Sequence, residues 1–131
     1  ANAVLIGSDT SAVSTVSPGT SGNVLVSNGS AWSSAAPTGQ PDPTLTGVNL
    51  AATAGQFIVA TAGSITITLP AGPSAGDFVI VKDGTGAAAT TSFAVARNGS
   101  NIASSATDLT FDKNFAEITM TYIDGTIGWS V

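Results

Sequence analysis

The residues best suited to chemistry are few. GPSAG at 72–76 fits the G-x-S-x-G pattern that presents a nucleophilic serine on a sharp strand-to-helix turn. That serine needs a base, and the chain has no histidine. DFVIVKD, which follows at 77–83, reads as a strand, so Ser74 is expected to be a turn residue. GTGAAA at 84–89 fits a relaxed G-x-G-x-x-A phosphate-binding fingerprint and follows a strand. It leads into TTSFAVAR, another strand, so no helix N-terminus is there to hold a pyrophosphate. Asp83, Asp108, Asp112 and Asp124 carry oxygens that a Ca²⁺ site uses, but their spacing matches no EF-hand loop, and single aspartates are common in turns. Glu117 is the sole glutamate; it lies inside a strand, with no visible partner for a glycosidase pair. Without Cys or His, zinc and most transition metals lose their usual ligands. The NGS triplets at 28–30 and 98–100 fit the glycosylation pattern, and each is also an Asn-Gly turn, which suffices by itself. We expect no catalytic residue, no metal and no cofactor; the protein is not expected to be an enzyme.

The elements that would position any site are short strands. Charged residues make up 8% of 131 positions, against about 25% in an ordinary soluble domain. Ala, Gly, Ser and Thr fill 70 positions, and the chain is hydrophobic enough to read its C-terminal two-thirds as folded. The net charge of −5, from eight acids and three bases, argues against a nucleic-acid partner, which needs clustered Lys and Arg. No apolar run approaches the roughly 20 residues of a membrane helix, and no basic region precedes VLI as in a signal peptide. QFIVAT (56–61), SITITLP (64–70), DFVIVKD (77–83), SFAVAR (92–97), DLTF (108–111), AEITMTYI (116–123) and IGWSV (127–131) are rich in β-branched and aromatic residues. Ile65, Ile67 and Leu69 alternate with Thr66 and Thr68, and Ile118, Met120 and Tyr122 with Thr119 and Thr121, a period of two. Asp124-Gly125 is expected at a hairpin turn, with Gly125 supplying positive φ.

Residues 1–47 differ in texture. Only Asp9 and Asp42 are charged, and the segment ends in AAPTGQPDPT, whose three prolines (Pro37, Pro41 and Pro43) forbid a helix and favour an extended connection. The expected architecture is an all-β, antiparallel β-sandwich or jelly-roll-like domain over 48–131, carrying an extended N-terminal arm over 1–47. LVSNGSAWSS in the arm and TYIDGTIGWSV at the end share one order: strand, Asx-Gly turn, Trp-Ser. Hairpin chemistry is a small menu and accounts for this weak repeat without duplication.

SPGTSGNVLVSNGSAWSSAAP at 17–37 resembles a segment that recurs in tail-fibre and other virion proteins of tailed bacteriophages, where it takes the form P-G-x-x-G-x-V-L-x-S-N-G-x-x-W-x-S-A-x-P. SITITLPAGPSAGDFVIVKDGTG, with FAVARNGSNI and ITMTYIDGTIGWSV after it, resembles a second phage fibre module that closes on G-W. The resemblance covers most of 17–37 and 56–131, and implies a β-rich virion surface module, commonly trimeric. It departs from a fibre in lacking a long shaft, and the Pro-rich joint is particular to this chain.

A start at ANAVLIG is what removal of an initiator Met before Ala1 leaves, which fits a complete short gene product as it fits an excised fragment. The expected function is a capsid decoration, or cement, protein that binds the outside of the head shell and braces it. Its partners are then the major capsid protein or another virion protein, and itself as a homotrimer. The expected interface is the arm's apolar set, Val4, Leu5, Ile6, Val24, Leu25, Val26 and Trp32, buried against a neighbour with backbone pairing as in strand addition. The alternative is a tail-fibre or tail-spike module that attaches to a host glycan receptor, with Tyr122, Trp32 and Trp129 as the aromatics able to stack on sugar. A third reading is a cellular carbohydrate-binding or adhesion module.

Overall fold

Short runs of β-branched and aromatic residues, punctuated by Gly, Pro and Asp, fold into strands and turns in a computed structural model. It describes residues 4–6, 14–17, 19–27, 29–36 and 39–131, with side chains from Val16 onward. Among the described residues there is no helix. The chain divides into two units, Ala1–Gly39 and Gln40–Val131.

The first unit holds two antiparallel pairs. β1 (Val4–Ile6) pairs with β2 (Ser14–Val16), and β3 (Val24–Ser27) pairs with β4 (Trp32–Ala35). The arm expected to be extended is thus folded into pairs of strands. The physical reason lies in its turn chemistry: Gly29 has φ +89°, and its N–H donates to the Ser27 Oγ at 3.1 Å. Asn28, Pro18 and Pro37 lie outside the described residues.

The second unit is built from β5 (Pro43–Thr46), β6 (Leu50–Ala51), β7 (Gln56–Ala60), β8 (Thr66–Thr68), β9 (Phe78–Asp83), β10 (Phe93–Ala96), β11 (Leu109–Phe111), β12 (Glu117–Asp124) and β13 (Gly128–Ser130). A five-stranded sheet has the order β13-β12-β9-β7-β5, and a four-stranded sheet the order β11-β10-β8-β6. From β5 to β10 the chain changes sheet at every connection. β5, β7 and β9 therefore stack in parallel in one sheet, and β6, β8 and β10 in parallel in the other. β11, β12 and β13 then add in antiparallel fashion. The antiparallel expectation is corrected to mixed sheets. Alternation along a strand says which face is buried but not which strand lies beside it.

The boundary also differs from the expected 47/48. Pro43–Thr46 is a strand of the second unit, paired in parallel with β7 from Pro43↔Phe57 to Thr46↔Ala60. Pro43 opens an edge strand, where its missing N–H costs no ladder bond.

Both sheets feed one buried cluster. Ile58, Val79, Val81, Met120 and Trp129 come from the five-stranded sheet, and Ile67, Val95, Phe93 and Phe111 from the four-stranded one. Phe93 and Phe111 are cross-strand partners with stacked rings 4.7 Å apart. Each buried Val or Ile removes apolar surface worth roughly 1.5–3 kcal/mol.

The closing hairpin forms, but by a different turn. Gly125 is not in the left-handed region; Gly128 is, at φ +72°. The Asp124 carboxylate accepts the N–H of Thr126 (2.8 Å) and of Ile127 (2.7 Å), an Asx turn that reverses the chain. Gly128 cannot carry a Cβ, because the Asn101 carbonyl lies against it. Residues 101–104 run along the outer edge of β13. The Trp129 N–H donates to the Asn101 carbonyl, the Ala103 N–H to the Trp129 carbonyl, and the Ser104 N–H to the Ile127 carbonyl, each at 2.8 Å.

That cover holds Ala103 and Ser104 at φ +48° and +63°, where L-residues other than glycine are disfavoured. Ala103→Gly is expected to raise stability by about 0.5–1 kcal/mol, because relief of the left-handed strain exceeds glycine's entropy cost. Urea titration of the two proteins checks the sign; a loss of stability would show that the turn is unstrained.

Candidate functional site

The structure brings Val24, Leu25, Val26 and Trp32 together on one hairpin. β3 and β4 pair as Val24↔Ala35, Leu25↔Ser34, Val26↔Ser33 and Ser27↔Trp32. Side chains alternate across the pleat, so Val24 and Val26 share one face with Ser33 and Ala35. Leu25 and Trp32 share the other with Ser27 and Ser34. All four apolar residues are 41–47% exposed, so among the described residues both faces present apolar surface. No ionisable residue lies between Asp9 and Asp42. An isolated two-stranded hairpin is marginal in water, and one with apolar side chains on both faces has two surfaces to bury. Asn23 braces this hairpin, its Nδ2 donating to the Ser34 Oγ at 3.0 Å. Val4, Leu5 and Ile6 form β1, which pairs with β2 and not with this hairpin; their side chains lie outside the described residues.

The three aromatics weighed for sugar stacking separate sharply. Trp129 is fully buried, and Tyr122 lies half-buried against it in an edge-on pair with ring centroids 5.6 Å apart. Trp32 keeps an open ring.

The motifs that suggested chemistry resolve into turns. At 72–76, Gly72 and Gly76 have positive φ, the Ser74 N–H donates to Asp77 Oδ2 at 2.9 Å, and the Asp77 N–H donates to the Ser74 carbonyl at 3.0 Å. Asn98 stands at φ +49° beside Gly99, and its Nδ2, the atom a glycan would require, donates to the Leu69 carbonyl at 2.8 Å. Asp108 Oδ1 accepts the Arg97 N–H at 2.9 Å, and Asp112 lies 3.9 Å from Lys113 Nζ.

Among the described residues, the one carboxylate clearly shifted from its ordinary value is Asp83, at the end of β9. It is fully buried. Oδ1 accepts the Thr85 hydroxyl (2.7 Å) and N–H (2.9 Å), and Oδ2 accepts the N–H groups of Phe115 (3.0 Å) and Ala88 (3.3 Å). Burial pushes the carboxyl up; the hydrogen bonds from the Thr85 hydroxyl and from the Phe115, Thr85 and Ala88 N–H groups outweigh it and hold it at about 2, below the ordinary 3.8. A carboxylate surrounded by N–H donors has no oxygen lone pair facing a cation. Asp83 ties the 84–89 loop and Phe115 to the end of the strand. Sequence reasoning weighed it only as a Ca²⁺ oxygen or a turn aspartate; the clue to its burial was its position, in phase with Val79 and Val81 of the inward row.

Comparison with protein-family models finds no match, and comparison with curated proteins finds none either.

Proposed function

We propose that the chain is a structural protein of a tailed-phage virion, a decoration protein that attaches to the outside of the head shell. The observation that carries this reading is the β3–β4 hairpin, with Val24, Leu25, Val26 and Trp32 exposed over both faces and no charge among them. The resemblance of 17–37 and 56–131 to phage virion modules supplies the class of particle. We read the two mixed sheets over their common core as a sandwich-like body, and the hairpin unit as the attachment device. The outer surface of the particle is then its location, and the major capsid protein and other copies of this chain, as a homotrimer, are its partners. The fibre alternative asks for exposed sugar-stacking aromatics, and the burial of Trp129 removes one of the three weighed for it.

Leu25→Lys with Trp32→Lys places two charges on one hairpin face and leaves the sequence of the second unit unchanged. The pair is expected to weaken binding to heads lacking this protein by at least tenfold, a loss of about 1.4 kcal/mol or more. Co-sedimentation of purified chain with such heads reads the effect. Equal coating by both proteins would remove the hairpin as anchor, and binding to host cells but not to heads would favour the fibre reading.

A further inference from the structure

We propose that the outer face of β5, β7 and β9 is the surface on which a second copy of this chain docks. The inference rests only on the self-association in the reading above, not on the place of the protein in the virion.

The inward rows of the five-stranded sheet are fixed by Ile58 and Ala60 on β7, Val79 and Val81 on β9, and Met120 on β12, all in the common core. Alternation sends the intervening residues outward. Register then lines up Pro43, Phe57 and Ile80 in one row and Leu45 and Val59 in the next, with Phe78 flanking Ile80 on β9. A sheet with one wet face shows polar residues in these places; a continuous apolar run such as FVIV or FIVA belongs to a strand covered on both faces. Ile80 is only 6% exposed yet lies outside the core cluster, and Phe57, Val59 and Phe78 on the same face are half-buried. Leu45 is 66% exposed at the rim of the same patch.

Charge favours a second copy as the occupant. The molecule carries −5, but the charges on the outward rows of this sheet are Lys82 and Glu117, cross-strand partners joined at 3.3 Å. The patch is therefore neutral, and two copies meet there without the repulsion that opposes contact elsewhere. Around a threefold axis, Lys82 of one copy and Glu117 of the next are complementary. A strongly charged partner of another kind would find nothing on this face to complement.

The two edges of the sheet support the same surface. The β13 edge is occupied by residues 101–104 of the same chain. β5, the opposite edge, pairs among the described residues with β7 alone. This edge adjoins the apolar rows. The outer face of the four-stranded sheet differs: Thr66, Ala94 and Thr110 form a cross-strand row beside Ser64 and Ser92.

Sedimentation velocity of the full chain, from low to high micromolar concentration, tests the assignment. Wild type is expected to associate, and Thr110→Lys, on the other sheet, to associate equally. Leu45→Lys is expected to weaken association by roughly tenfold or more, and Leu45→Ser, which removes the apolar contact without adding charge, by a smaller factor. Circular dichroism melts show that the variants fold. A wild type that stays monomeric, Leu45 variants that associate like wild type, or equal losses from Leu45→Lys and Thr110→Lys would each overturn the proposal. A monomeric chain that still coats heads would overturn it while leaving the decoration reading in place.

Discussion

Trp129→Ala is expected to lower the stability of the second unit by about 3–5 kcal/mol, as other buried aromatic truncations do. The indole is fully buried, lies in the core cluster with Met120 and Val79, and meets Tyr122, its cross-strand partner, at 65°. Truncation leaves a cavity at the junction of β12, β13 and the 101–104 segment, which the hydrogen bonds through the Trp129 backbone hold in place. The indole N–H has no hydrogen-bond partner among the described residues, and a buried unsatisfied donor is itself costly. Trp129→Phe should therefore cost much less than alanine, since it drops that donor while keeping most of the apolar volume. Denaturant unfolding followed by far-ultraviolet circular dichroism separates the two variants. An alanine variant that melts like wild type would contradict the burial of this ring.

The second large effect belongs to Asp83. Removing its carboxylate by Asp83→Ala leaves the N–H groups of Thr85, Ala88 and Phe115 without their acceptor and is expected to cost about 3–5 kcal/mol. Asp83→Asn keeps the shape but turns one acceptor into a donor facing N–H groups, so it should not restore wild-type stability. The same carboxylate makes the fold acid-sensitive. Its pKa is depressed in the folded chain, from 3.8 to about 2, so its contribution is fully present above pH 3.8 and disappears as pH falls toward 2. A shift of this size corresponds to about 2–3 kcal/mol at neutral pH. Unfolding free energies measured from pH 7 down to pH 2 should fall for wild type through that window and change less for Asp83→Asn. Parallel curves for the two proteins would show that Asp83 is not the group responsible.

The strands of the second unit were legible where alternation was strong. All seven segments from QFIVAT to IGWSV contain strands at or within a few residues of the expected positions. β5 and β6 were not legible: Pro43 stands in a proline-rich run that reads as a connection, and Leu50–Ala51 is too short to show a period. Parallel stacking was hidden for a different reason. Pairing partners are chosen by the geometry of connections such as 47–49 and 61–65, which carry the chain across to the other sheet, and alternation is blind to that choice. Of the candidate interface, Val24, Leu25, Val26 and Trp32 could be named because an apolar run flanking an Asn-Gly turn, without a nearby core, stands out in so polar a segment. The role of Asp83 was out of reach, since two of the donors that surround it come from Ala88 and Phe115, and no local pattern links Phe115 to β9.

The hairpin repeat shows both the use and the limit of such patterns. LVSNGSAWSS and TYIDGTIGWSV both lie on antiparallel pairs. Trp32 remains 47% exposed and Trp129 is wholly buried. The difference arises from what surrounds each hairpin: β12 is joined to β9 within a five-stranded sheet over a core, while β3 and β4 form a two-stranded sheet. One short sequence pattern thus serves a core in one unit and an open surface in the other.

The central claim, attachment to the outside of the head, is tested most directly by locating the protein on the particle. Val131 is exposed, so a gold-binding tag placed after it can be imaged by electron microscopy on intact virions. The decoration reading predicts label distributed in many copies over the outer surface of the head shell. Label confined to the tail tip or fibres, with bare heads, would contradict it.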